Sequence, residues 1–258
     1  HFRPAPEVPV YHPDVKVYEV TGEDGQFTAL LYVDYYPRQS KRSGAWMTSY
    51  REQYKHNGKE YRPLVSLVTN FTKPTATTPS LLTFSEVTTL FHEFGHCLHG
   101  MLAEGSYASL TGTSVARDFV ELPSQILENW AYEPEFLKTF AVHYQNGEAI
   151  PQEMINKIVA SKNYLAGFGQ VRQLQYGILD MAWHDSDQVP SMDISKFEET
   201  TLGGSSILPA IPGTAFSTAF SHVFAGGYSA GYYSYKWAEV LEADAFELVK
   251  ETGIFNRE

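Results

Sequence analysis

The sequence predicts an α+β fold, mainly helical, with a small mixed sheet set beside one long helix. Up to about residue 80 the chain carries β-branched and aromatic runs separated by Gly, Pro and charged turns, and after Thr83 apolar residues recur at helical spacing. The order, strands first and helices afterwards, is that of a sheet with its helices gathered on one side. Residues 15–20, 27–36 and 64–71 are the clearest strands, and three or four are expected in all. One edge of such a sheet could pair with an extended peptide. Helices are expected for the segment after Thr83, for 118–130, 134–144, 151–161, 163–184 and 229–251, and a loop for 195–217, where Gly-Gly and three prolines punctuate the chain. There is no internal repeat and no low-complexity tract.

The first helix carries the chemistry. Thr83-Phe84-Ser85-Glu86 reads as a capping box, and Val87, Leu90, Phe91, Phe94, Leu98, Met101 and Leu102 follow at helical spacing. The segment His92-Glu93-Phe94-Gly95-His96 is therefore mid-helix. His92 and His96 lie one turn and about 6 Å apart on one face, so both imidazoles can reach one ion. Glu93 sits about 100° around the axis from His92, too far aside to ligate with them but placed to hydrogen-bond a water on the metal. Two buried, hydrogen-bonded histidines would produce the same pattern; its mid-helix position in a well-delimited helix favours the metal.

Catalytic zinc usually takes a third protein ligand. His99 returns to the face of His92 but is about 10 Å along the axis, whereas ligands of one zinc lie roughly 3 to 4 Å apart. It is better read as a histidine hydrogen-bonded to a neighbouring element, and Cys97, about 100° from His96, as a packed thiol. Glu104, on the tail of the same helix, meets the same axial objection. Residues 105–117, rich in Gly, Ser and Thr, form a loop able to return the chain to the metal, after which 118–130 resumes helical spacing. Asp118 can cap that second helix, and Pro123 should distort its first turn by removing a donor and crowding the carbonyl of Phe119. Glu121 is taken as the third ligand, with Glu128 or Gln125 placed to orient a ligating histidine. Glu128 reads equally well as an ordinary salt-bridged glutamate.

FHEFGHCLHGML, followed 25 residues after His96 by Glu121 in RDFVELPSQILENW, resembles the thimet oligopeptidase family of zinc peptidases, and within it the bacterial peptidyl-dipeptidase and oligopeptidase A branch. YHPDVKVYEV, SKRSGAWM, LVTNFTKP and FSHVFAGGYSAGYYSYKWAEVLEADAF extend the resemblance over nearly the whole chain. It implies a zincin-like catalytic lobe, one Zn2+ per chain held by His92, His96 and Glu121, and Glu93 as general base. Tyr228, Tyr232 and Tyr235 recur at intervals of four and three; as an isolated stretch they read first as a core stripe and second as a peptide-binding wall. The resemblance matches His222 and Tyr228 to the family's transition-state-stabilising pair and Tyr232 and Tyr235 to tyrosines of the substrate channel.

The implied activity is zinc-dependent hydrolysis of short peptides, releasing C-terminal dipeptides, with an endo-acting oligopeptidase as the alternative. Family members are longer at both ends, so residues 1–258 are expected to form a single catalytic lobe, with 1–80 a strand-rich wall of the cleft and 81–258 the mainly helical part carrying the metal. The alternative implied by that excision is a fragment that folds, and binds zinc, with little activity.

Composition agrees with this expectation without having suggested it. A net charge of −11 argues against broad nucleic-acid affinity and mildly favours cationic peptides. One cysteine excludes an intrachain disulfide. No run of eighteen apolar residues and no basic-then-apolar N-terminal signal is visible. A cytoplasmic monomer with neither nucleic-acid nor membrane partners is expected.

Overall fold

The computed structural model of the chain describes residues 1–185, 191 and 193–256. Its strands are β1 (Phe2–Pro4), β2 (Lys16–Thr21), β3 (Phe27–Asp34), β4 (Trp46–Arg51), β5 (Tyr54–His56), β6 (Lys59–Tyr61) and β7 (Leu64–Val68). Five of them form one sheet in the order β1-β2-β3-β7-β4, and β5 pairs with β6. The β3–β7 pair is parallel and the other neighbours are antiparallel, so the sheet is mixed. Alternation places Ala29, Leu31 and Val33 of β3 on one face with Val65 and Leu67 of β7. Helix α1 (Phe84–Met101) covers that face and adds Cys97 and Met101 to the core. Cys97 is the packed thiol expected of it, and burial pushes its pKa up. The strands at 15–20, 27–36 and 64–71 fall close to expectation. β1, β4 and the β5–β6 hairpin correct the count upward. β4 reads Trp-Met-Thr-Ser-Tyr-Arg, without a clear period, whereas the hairpin does carry a signal: Asn57 and Gly58 both adopt positive φ (51° and 73°), as two-residue hairpin turns require.

The other helices are α2 (Leu122–Glu128), α3 (Pro134–Phe140), α4 (Gln152–Ser161), α5 (Ala166–His184), α6 (Ile194–Leu202), α7 (Ser221–Phe224) and α8 (Ser234–Thr252). Three expectations are corrected here. The segment 195–217, expected as loop, contains most of α6, whose first turn is capped by the Asp193 carboxylate accepting from the N–H groups of Ser195 and Lys196. The helix expected at 134–144 ends at Phe140, because Val142 then forms a β-bridge with Ala149. The helix expected from 229 starts at Ser234, because 229–233 are turns in which Ala230 takes a left-handed φ of 51°.

A second core joins Leu179, Phe220, Val223 and Tyr232, packed by Trp183 and Tyr176. Between the two cores α2 crosses α1 at Gly95, where an added Cβ would lie 2.3 Å from the Pro123 carbonyl oxygen. Only glycine permits this approach. α8 packs on α2 from the other side, which sets the metal motif, the Glu121 segment and the tyrosine segment around one space.

Candidate metal centre and active site

α1 is delimited as its sequence requires. The Thr83 Oγ1 accepts from the Glu86 N–H while the Glu86 carboxylate accepts from the Thr83 N–H, which completes the capping box. One turn apart on this helix, His92 and His96 turn their rings at 85° to one another with centroids 5.0 Å apart. Both Nε2 atoms converge on a single oxygen of Glu121: Oε2 is 3.3 Å from His92 and 3.2 Å from His96. Three donors held about 2.0–2.1 Å from a tetrahedral ion would stand roughly 3.4 Å apart. The three donor atoms all lie within 4.8 Å of one another, and two imidazoles with one carboxylate are a donor set that suits zinc.

Glu121 comes from the turn ahead of α2, and here two details are corrected. Asp118 does not cap that helix; its carboxylate accepts instead from the Tyr233 hydroxyl at 3.3 Å. Pro123 does not distort it, because the helix starts at Leu122 and proline at its second position replaces an N–H that has no intrahelical acceptor. Glu121 Oε2 also accepts from Ser124 Oγ at 2.9 Å, and Oε1 from the Tyr228 hydroxyl. Burial alone would raise the Glu121 pKa, but hydrogen bonds from His92 and His96 outweigh it and hold the carboxyl well below the usual range.

Of the two candidates for orienting a histidine, Glu128 occupies the position: its Oε1 is 2.7 Å from His92 Nδ1. Burial lowers the His92 pKa, yet the hydrogen bonds to Glu121 and Glu128 raise it overall to about 10. Gln125 turns elsewhere, donating from Nε2 to the Tyr235 carbonyl at 3.1 Å. Among the described residues His99 joins no metal-ligating group. Its buried Nδ1 has no hydrogen-bond partner among them, and its ring packs edge-on to Phe119 with centroids 6.3 Å apart.

Glu93 is 6 % exposed and its Oε2 has no hydrogen-bond partner among the described residues. Burial raises its pKa, partly offset by His92 and His96. It lines one cleft of about 1130 Å³ together with His92, His96, Glu121 and the tyrosine segment. On the facing side His222 lies at ring-centroid distances of 6.1, 6.0 and 6.2 Å from Tyr228, Tyr232 and Tyr235. Tyr228 stacks on Tyr235 at 5.2 Å. The three tyrosines meet through turns and not through a shared helical face, and Tyr232, 8 % exposed, belongs to the core and to the cleft at once. The edge strand β4 and residues 42–45 before it line the remaining side.

Residues 1–258 match the family model described as Peptidase family M3. The chain belongs to that family. It is 43 % identical over 254 residues to the dipeptidyl carboxypeptidase of Escherichia coli (strain K12), covering 98 % of this chain and 37 % of that one. To oligopeptidase A of the same organism it is 45 % identical over 257 residues, covering 98 % and 38 %. To the thimet-like oligopeptidase of Dictyostelium discoideum it is 35 % identical over 260 residues, covering 98 % and 38 %. The chain thus spans less than two fifths of the length of these curated relatives.

Several contributors escaped the sequence reading of this M3 chain. Arg117 lays its guanidinium over the Tyr228 ring at 4.7 Å, Ser124 steadies Glu121, and Asp180 of α5 holds the tyrosine turns. Each acts across 3 to 111 residues by shape or hydrogen bonding, and only Ser124 lies close enough in sequence for a local pattern to have exposed it.

Proposed function

We propose that residues 1–258 form a zincin-like catalytic lobe that hydrolyses short peptides with one zinc ion held by His92, His96 and Glu121. Residues 1–80 supply the strand-rich wall of the cleft and 81–258 the mainly helical part. The observation that carries this reading is the buried Glu93 carboxylate with a free oxygen, in one cleft with the converging His92, His96 and Glu121 donors. Bound zinc supplies a Lewis acid that acidifies water and polarises a carbonyl. Glu93 takes the proton of the attacking water and returns it to the departing amine. Burial and Glu121 raise the Tyr228 hydroxyl to about 12, so it remains a proton donor at neutral pH. Given to Glu121 in the substrate-free chain, that hydroxyl turns with His222 to the developing oxyanion. Tyr232 and Tyr235 contact the substrate, and the free edge of β4 offers backbone pairing to an extended peptide.

Release of C-terminal dipeptides is the reading adopted; the similar identity to oligopeptidase A keeps internal cleavage as the second. Mass spectrometry of products from one peptide with a free and with an amidated C terminus separates them in the natural full-length protein. Dipeptides released from the free form alone support the first reading, and internal cleavage of both supports the second. Cleavage of neither overturns the proposal. A monomer acting in the cytoplasm completes it: with Cys97 as the one cysteine of residues 1–258, this lobe does not depend on an oxidising compartment. No helix among the described residues is long and apolar enough to cross a membrane.

A further inference from the structure

The turn region that carries Tyr228 includes a backbone conformation that its sequence disfavours. Gly226 and Gly227 wrap tightly on His222: a Cβ at Gly226 would lie 2.9 Å from both the Cα and the carbonyl oxygen of His222, and Gly227 has a φ of 84°. Ala230 is left-handed as well, at φ 51°, a conformation that residues with a Cβ disfavour. An external hold compensates. Asp180, in α5 and 1 % exposed, accepts the Ala230 N–H on Oδ1 at 2.9 Å and the Tyr232 N–H on Oδ2 at 2.8 Å. His184, one turn further, places Nδ1 2.8 Å from Asp180 Oδ1. Two backbone donors on one buried carboxylate fix the turn's orientation as well as its position, because each oxygen is committed to a different residue. Tyr228 stands just before this turn, and the Gly231 N–H donates back to its carbonyl at 2.8 Å.

The geometry points to Asp180 as a positioning residue that aims the Tyr228 hydroxyl at the metal centre by clamping the N–H groups of Ala230 and Tyr232. It touches neither substrate nor metal ligand, and its effect on turnover rests on the peptidase reading given above. Asp180→Asn keeps the shape but presents an amide NH2 to one of two N–H donors, so the clamp opens.

The clamp is tested without catalysis by hydrogen–deuterium exchange over residues 229–233 of the full-length protein. Expected is exchange at least tenfold faster in Asp180→Asn; unchanged exchange overturns the clamp. Should that variant not fold, these amides in the unsubstituted protein must be protected like those of α5, and free exchange is the overturning result. The consequence is tested by a double-substitution cycle. Asp180→Asn should lower kcat with KM nearly unchanged and zinc retained, and adding it to Tyr228→Phe should cost less than about twofold more. Independent, multiplying losses overturn the positioning role. In the Asp180→Asn background, Ala230→Gly should recover part of kcat, because glycine adopts the left-handed turn without help; a general loss of stability would not be recovered that way. If Tyr228→Phe alone leaves kcat unchanged, it is the reading of Tyr228 that fails, and with it Asp180's effect on turnover, while the exchange result still decides the clamp.

Discussion

At the scale of single residues, the account turns on one carboxylate oxygen. Glu121 Oε2 meets both histidines while its other oxygen takes the Tyr228 hydroxyl, so removing Glu121 would disturb the proposed ligands and the proposed oxyanion donor together. Zinc content measured by elemental analysis should fall sharply in Glu121→Ala and stay near one per chain in His99→Ala. The opposite pattern would displace Glu121 from the ligand set. The convergence of His92 and His96 was legible in the sequence because helix geometry fixes what residues one turn apart can reach, and axial rise sets His99 aside. That Glu121 joins them rested on a second segment returning to the first helix and on the family resemblance. Glu128 was legible only as one of two candidates, since spacing put Gln125 and Glu128 on the same helix without saying which would meet His92. Arg117 and Asp180 were illegible, because a guanidinium over a ring or a carboxylate under a distant turn leaves no local pattern.

At the scale of elements, the site exists because α1 and α2 touch at Gly95. Gly95→Ala would drive a methyl into the Pro123 backbone, cost about 1–3 kcal/mol as an overpacked contact, and weaken zinc binding by withdrawing Glu121. Urea denaturation and zinc titration measure the two effects, and unchanged values for both would show that the helices adjust freely. On the other side of the cleft, the loop before β4 is tied to β3 by Asp34, which receives Arg38 Nη1 at 2.9 Å, Lys41 Nζ at 3.0 Å and the Tyr11 hydroxyl at 2.9 Å. Asn70 Nδ2 adds bonds to the carbonyls of Arg42 and Gly44 at 2.8 and 2.7 Å. Burial raises the Asp34 pKa, but these donors overcome it and leave it below the ordinary carboxylate value. The folded value therefore lies below the unfolded one. The stability it contributes is complete above about pH 4 and lost as pH falls through the folded value. Asp34→Ala, which leaves the buried Lys41 ammonium with the carbonyls of residues 34, 36 and 69 but no counter-charge, should cost about 3 kcal/mol near neutrality, with the difference from the unsubstituted protein narrowing in acid. A constant difference across that range would contradict the role given to Asp34. The expected strands and helices survived where period was strong, as in β3 and α1. The errors at β4 and the start of α8 fell where hydrogen bonds across the fold, the pairing of β4 with β7 and the two accepted by Asp180, override a weak local pattern. α6, by contrast, carried a local signal in its Asp193 cap that the prolines and glycines around it obscured.

At the scale of the whole molecule, a sheet-borne helix, a crossing helix and a tyrosine wall converge on one cleft, and zinc would join the first two. Stripping the metal with a chelator should lower Tm, and restoring zinc should recover it, because an ion that binds only the folded chain stabilises it by mass action. An unchanged Tm would mean that the three donors hold no ion in solution. The central claim, that His92, His96 and Glu121 hold the zinc while Glu93 moves the proton, is tested most directly by zinc stoichiometry and turnover measured side by side in the full-length Glu93→Gln variant. The account predicts one zinc per chain, undiminished peptide binding and a kcat lower by about 10²- to 10⁴-fold, because an amide fills the space but takes no proton. Near-normal turnover in a zinc-loaded Glu93→Gln protein would contradict it.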